Sequence, residues 1–376
     1  MTFEKIELGV GDLPDIGGLV SRVVGVLRLG GVVVLPTETV YGVAVRAANA
    51  AAVLRLCEMK RRGADHPFAL AVSGVVAIGD YATNMSNLAK RLARRCLPGP
   101  VSIVLDVSQS DSDFRFLPES VQKAVSKDSS VCFRVPDHWF TLSVLKEIGE
   151  PLVLTSANLH GNLVAISVDE AVEQLGANID LAVDDGIINT EKPSTLLKIN
   201  DNKFSILRSG PVSLETLQKL SARMILFVCT GNTCRSPMAE RICERAIAAR
   251  LGCKDEELEG HGFVVMSAGT SAAALGEAAT NAIEVLQRRN INLSGHTSQQ
   301  LNETLIQFAD HIFAMTRSHR EQVLSMCPSA DTRLSVLRTD GGDIADPVGG
   351  DLEQYESCAK QIAIEINKQL DKILEN

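Results

Sequence analysis

Twice along this chain an apolar strand runs straight into a loop of small and polar residues: GGVVVLPTETVYG at residues 30–42 and MILFVCTGNTCRSPMAE at residues 224–240. A short apolar run stopped by Gly, Pro, Thr or Asn reads as a buried strand that ends at a site. The chain has 376 residues, about twice a common single-domain length, so two domains are expected. Aromatic residues make up only 4%, with one Trp, so Val, Leu, Ile and Ala must fill the cores. That favours α/β layers with buried parallel strands over an aromatic-rich β-sandwich. Hydrophobic residues at 45% and charged residues at 22% exclude disorder over most of the length.

The net charge of −9 argues against broad, sequence-independent nucleic-acid binding, although a local basic pocket is compatible with it. The first residues, MTFEKIELGV, lack the basic-then-apolar layout of a signal peptide. No apolar run approaches the roughly 20 residues that span a bilayer, so no membrane role is expected. The nine cysteines, scattered from Cys57 to Cys358, read as reduced thiols of a cytoplasmic protein.

From residue 224 onward, strand and helix patterns alternate. ILFVCT, FVVMSAGT and HIFAMT read as strands; SPMAERICERAIAARLG, NAIEVLQRR, REQVLSMC and YESCAKQIAIEINKQLDKIL read as helices. That order predicts a doubly wound parallel sheet with its ligand outside the carboxyl ends of the strands. Before it, ILRSGPVS (206–213) closes the first unit and LETLQKLSAR (214–223) has helical spacing. We therefore place one domain at residues 1–212, a linker at 213–223 and a second domain at 224–376, with the break near residue 218.

In the second domain, Cys229 and Arg235 are separated by Thr230, Gly231, Asn232, Thr233 and Cys234, and Ser236-Pro237 opens a helix. A loop between a strand end and a helix N-terminus turns backbone N–H groups inward and cradles an anion. Gly231 and Asn232 tolerate the left-handed backbone that a tight loop needs. The same field favours thiolate over thiol at Cys229. The planar fork of Arg235 suits two oxygens of a tetrahedral oxyanion. Thiolate, amide cradle and fork together describe a nucleophile aimed at phosphorus.

The string VCTGNTCRSPMAE resembles the low-molecular-weight protein-tyrosine phosphatase family, and SAGT, GHTSQQL, ADHIFAMTRSH and IADPVGG extend the resemblance across residues 224–376. It implies that Asp346 of the Asp-Pro pair is the general acid that protonates the leaving atom and then activates water. Without the Cys loop, Asp346-Pro347 would read simply as a turn. Thr233 resembles the protein-arginine phosphatase branch, where tyrosine-specific members usually carry an apolar residue. Val348 stands where an aromatic residue commonly lines a phosphotyrosine slot, which again favours phosphoarginine. The resemblance also implies a reversible Cys229–Cys234 disulfide protecting the nucleophile; Cys234 otherwise reads as a loop-packing residue. No metal or cofactor is expected in this half.

The first half carries short motifs in sequence: LPTETVYGV, MKRRGADHPFAL, LPGPVSIVL, CFRVPDH, LTSANLHGN, PSTLL and ILRSG. Thr37, Thr39 and Tyr41 alternate after a buried strand and are expected on one face. Hydroxyls, amides, lysine and arginines at strand ends suit a polyphosphate that is held rather than attacked. Neither a P-loop nor a dinucleotide glycine motif occurs.

Taken in order, these motifs resemble the YrdC-type threonylcarbamoyl-AMP synthases. The resemblance implies a twisted α/β domain with a concave basic cavity, converting L-threonine, bicarbonate and ATP to threonylcarbamoyl-AMP and pyrophosphate for tRNA N6-threonylcarbamoyladenosine. Matched motif to motif, Lys60, Arg62, Ser156, Asn158 and Arg208 fall on the nucleotide, and Thr37, His66 and Ser194 on threonine. Magnesium is expected with ATP. Catalysis would be positioning and charge neutralisation. In isolation, Lys60–Arg62 equally reads as a solvated basic turn and His66 as a core histidine.

Three functional readings stay open at this point. The favoured one is a bifunctional synthase and phosphoprotein phosphatase, with tRNA or tRNA-modification proteins as candidate partners. The second is a phosphotyrosine phosphatase regulated by a nucleotide- or RNA-binding domain. The third makes the second half a redox or arsenate-reducing thiol protein.

Overall fold

The structure, a computed structural model, describes residues 3–8, 15–61, 66–159, 161–190, 192–273 and 275–375. It divides into two compact units, Met1–Leu217 and Gln218–Asn376. The helix Leu214–Ser221 lies across that division, and its apolar face buries Leu217.

The first unit is one large sheet with helices. Its strands are β1 (Glu4–Glu7), β2 (Val33–Leu35), β3 (Gly42–Arg46), β4 (Ala69–Ala71), β5 (Val101–Asp106), β6 (Ser126–Lys127), β7 (Ser130–Arg134), β8 (Leu152–Ser156), β9 (Leu181–Asp184), β10 (Thr195–Asn200) and β11 (Lys203–Arg208). Their spatial order is β1-β9-β2-β3-β8-β4-β7-β5-β10-β11, with the short β6 paired to β7. The sheet is mixed: β1–β9, β2–β9, β4–β7 and β5–β10 run parallel. The pairs β2–β3 and β10–β11 run antiparallel, because their connections are too short for the crossover that a parallel pair needs.

Helix Ile16–Arg28 shows how local sequence builds one layer. Asp15 caps it by accepting from the Gly18 amide at 2.8 Å. Val20, Val23, Val24 and Leu27 recur at helical spacing and are buried. They join Phe140, Val144 and Leu145 of the helix Trp139–Ile148, together with Val33, Leu35 and Leu154 of the sheet, in one core.

The second unit is a four-stranded parallel sheet: β12 (Arg223–Cys229), β13 (Phe263–Gly269), β14 (His311–Ala314) and β15 (Leu334–Val336), in the order β13-β12-β14-β15. All seven residues of β12 are buried. Alternation sends Ile225, Phe227 and Cys229 into the core that holds helices Arg235–Leu251 and Leu352–Leu374. Leu226 and Val228 enter the opposite core with Ile306 and Val323. Helices on both faces of a parallel sheet make it doubly wound, and β12 ends at Cys229, the carboxyl edge where such sheets place ligands. Among the described residues, no helix is long and apolar enough to cross a membrane.

Candidate active sites

The strand β12 stops at Cys229 and the helix Arg235–Leu251 begins six residues later, so the loop between them must turn tightly. Asn232 takes the left-handed backbone at φ 55°. Gly231 does not, contrary to expectation, and the single αL residue completes the turn. The Asn232 amide points back at the thiol, its nitrogen 3.3 Å from Cys229 Sγ. Ser236 Oγ lies 2.9 Å from the same sulfur. The nucleophile candidate is therefore held between a loop amide and a hydroxyl in the first helical turn.

A buried polar network fixes this loop. Asn232 Nδ2 donates to Ser236 Oγ at 3.0 Å and to Ser267 Oγ at 2.8 Å. Ser267 Oγ donates to Glu240 at 2.5 Å, and the Gln299 amide donates to Asn232 Oδ1 at 2.9 Å. His296 Nε2 lies 2.8 Å from the Asn232 carbonyl. Fully paired buried networks of this kind specify one geometry. A close approach adds to it: a Cβ on Gly269 would lie 2.4 Å from the Thr230 carbonyl oxygen. The glycine of SAGT is thus required by the cradle. SAGT and GHTSQQL carry the resemblance without assigning a role to Ser267, Gln299 or His296; Ser267 is marked as a polar residue in the otherwise apolar β13, whereas His296 and Gln299 lie in the loop after the helix Thr280–Gln287 and carry no such signal.

Arg235 and Asp346 meet directly. Arg235 is 5% exposed, and its Nη1 donates to the Ile344 carbonyl at 3.2 Å. Its Nη2 donates to Asp346 Oδ2 at 2.5 Å, while Asp346 Oδ1 accepts from the Val348 amide at 3.2 Å. Asp346 therefore serves both as a turn former and as the charge partner of the fork. Its side chain remains 42% exposed. Val348 is exposed. Cys234 is buried, its sulfur 3.2 Å from the Tyr355 hydroxyl, and the Thr233 hydroxyl is 3.6 Å from that sulfur. All nine cysteines are free thiols. Burial pushes the Cys358 thiol up to about 12.

The first unit contains a cavity of about 700 Å³. Its lining includes Thr37, His66, Ser156, Asn158, Ser194 and Arg208, residues far apart in sequence that the fold brings together. His66 is exposed and lines the cavity, which excludes the core-histidine alternative. Lys60 is 2% exposed rather than solvated; its ammonium donates to the carbonyls of Ser156, at 2.7 Å, and Asn158. Arg62 lies outside the described residues. Ser156 Oγ donates to Asn158 Oδ1 at 2.5 Å. Arg208 Nη2 donates to the Ser194 carbonyl at 2.9 Å and to Ser194 Oγ at 3.2 Å; burial lowers this guanidinium from its usual value.

The expected shared face of Thr37, Thr39 and Tyr41 does not form. Residues 36–41 are a turn, closed by Thr37 Oγ1, which donates to the Val40 carbonyl at 2.6 Å and accepts from the amides of Thr39 and Val40. Thr37 and Thr39 line the cavity, whereas the buried Tyr41 sends its hydroxyl to the Gly186 carbonyl at 2.7 Å. Arg134 went unassigned in the sequence although it is the Arg of CFRVPDH. It lines the cavity, 4% exposed, and its Nη2 donates to Glu38 at 2.7 Å and to Thr39 Oγ1 at 3.1 Å. Burial outweighs Glu38 and lowers its pKa from the usual arginine value.

Comparison with known proteins agrees with this division. Residues 25–210 match the sequence model of the Sua5/YciO/YrdC family, described as telomere recombination. Residues 224–376 match that of the low molecular weight phosphotyrosine protein phosphatases. A Methanocaldococcus jannaschii protein named as a threonylcarbamoyl-AMP synthase is 31% identical over 191 residues, 50% of this chain and 84% of that protein. A protein-arginine-phosphatase of Geobacillus stearothermophilus is 38% identical over 154 residues, 40% of this chain and 95% of that protein. The chain belongs to both families. Its first unit is a domain of the threonylcarbamoyl-AMP synthase type, a transferase family, and its second is a low-molecular-weight phosphatase domain, a hydrolase family. A solved structure of a Sua5 variant from P. abyssi shares the fold, with a TM-score of 0.52 at 20% identity, covering 86% of this chain and 95% of that one.

Proposed function

We propose that the chain is a bifunctional enzyme: its synthase domain makes threonylcarbamoyl-AMP for tRNA modification, and its phosphatase domain hydrolyses phosphoarginine in proteins. The observation that carries the phosphatase reading is the meeting of Cys229, the Asn232 amide, Arg235 and Asp346 around one loop. As Arg235 turns from Asp346 to the phosphoryl oxygens, Asp346 enters the step protonated; Cys229 thiolate attacks phosphorus, and the bond to the leaving nitrogen breaks as Asp346 gives that nitrogen its proton. Arg235 and the loop amides hold the equatorial oxygens, where negative charge accumulates. Asp346, now a carboxylate, takes a proton from water, whose oxygen attacks the phosphocysteine. Inorganic phosphate leaves and the thiolate returns.

Phosphoarginine is favoured over phosphotyrosine by the hydroxyl of Thr233, by the exposed aliphatic Val348, and by the kinship with a protein-arginine-phosphatase. In the synthase domain, Lys60 and Arg62 are the residues for the ATP phosphates, and Ser156, Asn158 and Arg208, which line the cavity, take the rest of the nucleotide. Thr37, His66 and Ser194 take threonine. Magnesium enters as the counter-ion of ATP; among the described residues no group of three His, Cys, Asp or Glu gathers to hold a resident ion.

The test compares turnover on phosphoarginine and phosphotyrosine peptides, with Cys229→Ser as blank and Thr233→Ile as variant. Phosphoarginine preference that reverses in Thr233→Ile supports the reading; phosphotyrosine preference in the wild type removes the arginine assignment. Pyrophosphate release from ATP that requires both threonine and bicarbonate tests the other half, and its absence would leave that domain a binding module.

A further inference from the structure

His319 is a buried histidine that the proposed chemistry does not use. It is 5% exposed, in the first turn of the helix Arg317–Met326, and both ring nitrogens meet hydroxyls. Nε2 lies 2.9 Å from Thr230 Oγ1, on the exposed residue that follows the nucleophile candidate. Nδ1 lies 2.8 Å from Thr316 Oγ1, the cap of the same helix, which also accepts from the His319 amide at 3.2 Å.

A neutral imidazole has one N–H, so this chain has two states. In one, Thr316 donates to Nδ1 and Nε2–H donates to Thr230, leaving the Thr230 proton for another acceptor. In the other, Thr230 spends its proton on Nε2. An oxyanion within reach of Thr230 Oγ1 would select the first, because only that state gives the anion a further charge-assisted hydrogen bond. Burial and the nearby Arg235 lower His319 to about 4, against the weaker pull of Asp346 and Asp343, which keeps the ring neutral at ordinary pH.

We propose that His319 is a positioning residue that fixes the Thr230 hydroxyl as a donor to the phosphoryl group held in the 229–235 loop. The proposal rests on the phosphatase reading of that loop and adds a recognition element beyond it.

The experiment is calorimetric titration of inorganic phosphate into the 376-residue chain, a readout independent of turnover. Thr230→Val and His319→Leu are each expected to weaken phosphate binding about ten-fold. The double variant should bind no more weakly than either single one, because one interaction has been removed twice. His319→Gln, whose amide reaches toward the Nε2 position, should recover most of the loss. A merely structural role in seating the helix would weaken binding in the Thr230→Val background as well, so losses that multiply overturn the proposal. Should His319→Leu fail to fold, Thr230→Val at its exposed position decides: unchanged phosphate affinity overturns the assignment. Failure of the wild type to hydrolyse any phosphorylated peptide would instead refute the phosphatase reading, while the binding comparison still reports on Thr230 and His319.

Discussion

The two sites are built by opposite means. In the phosphatase domain, nucleophile, cradle and fork come from one run of eight residues, Cys229–Ser236, braced by a network from neighbouring elements. In the synthase domain, the cavity is lined from β3, β4, β5, β6, β7, β8, β10 and β11 and the loops between them, with no segment dominating. A contiguous loop concentrates chemistry and fails when one member fails. An assembled cavity spreads binding over many modest contacts and should decline in steps.

The sharpest break in that comparison is Cys229→Ser. It should lower phosphatase turnover by a factor on the order of 10⁴ or more, because the covalent step loses its nucleophile. Threonine-dependent pyrophosphate release by the same purified chain should be unchanged. Parallel loss of both activities would show that the two sites are not independent.

Next in size is Gly269→Ala, which touches no reacting atom. Its Cβ would lie 2.4 Å from the Thr230 carbonyl and 2.9 Å from Ala272 Cβ, so backbone must shift. Overpacking of this kind costs about 1–3 kcal/mol. The displaced loop should also lose roughly 100-fold in kcat, since small misplacements carry that penalty. Thermal unfolding and steady-state kinetics on the one variant measure both, and wild-type kcat would show that the loop is not held by this contact.

Legibility follows the same divide. The eight-residue loop could be read from its letters, because residue types and spacing alone state the chemistry. The doubly wound sheet was legible from alternating strand and helix patterns, and β12 ends where that reading puts the site. The synthase domain was harder. Its antiparallel pairings depend on connection length, which composition does not report. Thr37 and Tyr41 part company because a hydroxyl closes a turn where alternation suggests a strand. Arg134 and His319 were invisible for another reason. Each acts through a contact with a residue far away in sequence, Glu38 and Thr230 respectively, and no local pattern encodes such a pairing.

His319 also gives the phosphatase domain a pH signature. Its folded pKa, about 4, is below the ordinary histidine value of 6.5. The unfolded chain therefore binds the proton first as pH falls, and stability drops with acid. The contribution is complete above about pH 6.5 and lost progressively down to about pH 4, on the order of 3 kcal/mol in total. Urea unfolding of wild type and His319→Gln at pH 7 and pH 4.5 checks this. The variant should show the smaller acid loss, and equal losses would place the acid sensitivity elsewhere.

The smallest expected effects lie in the cavity and test its distributed construction most directly. Ser156 ends β8 and Arg208 ends β11, and four strands separate them in the sheet. They share no hydrogen-bond partner: Ser156 bonds to Asn158, and Arg208 to Ser194. Ser156→Ala and Arg208→Ala should each raise KM for ATP roughly ten-fold, about what one hydrogen bond to a charged group is worth. Being unconnected, the two should multiply in the double variant, to roughly 100-fold. Asn158 is the contrasting case. Its side chain accepts from Ser156 and donates to the Asn162 carbonyl at 2.7 Å, while Lys60 rests on the Asn158 backbone carbonyl. Ser156→Ala combined with Asn158→Ala should therefore fall short of the product, since each removes part of the same contact. Multiplicative losses across β8 and β11 with sub-multiplicative losses within the TSAN turn would mark a cavity built from separate parts. Sub-multiplicative losses in both pairs would mean that the cavity, like the phosphatase loop, acts as one unit.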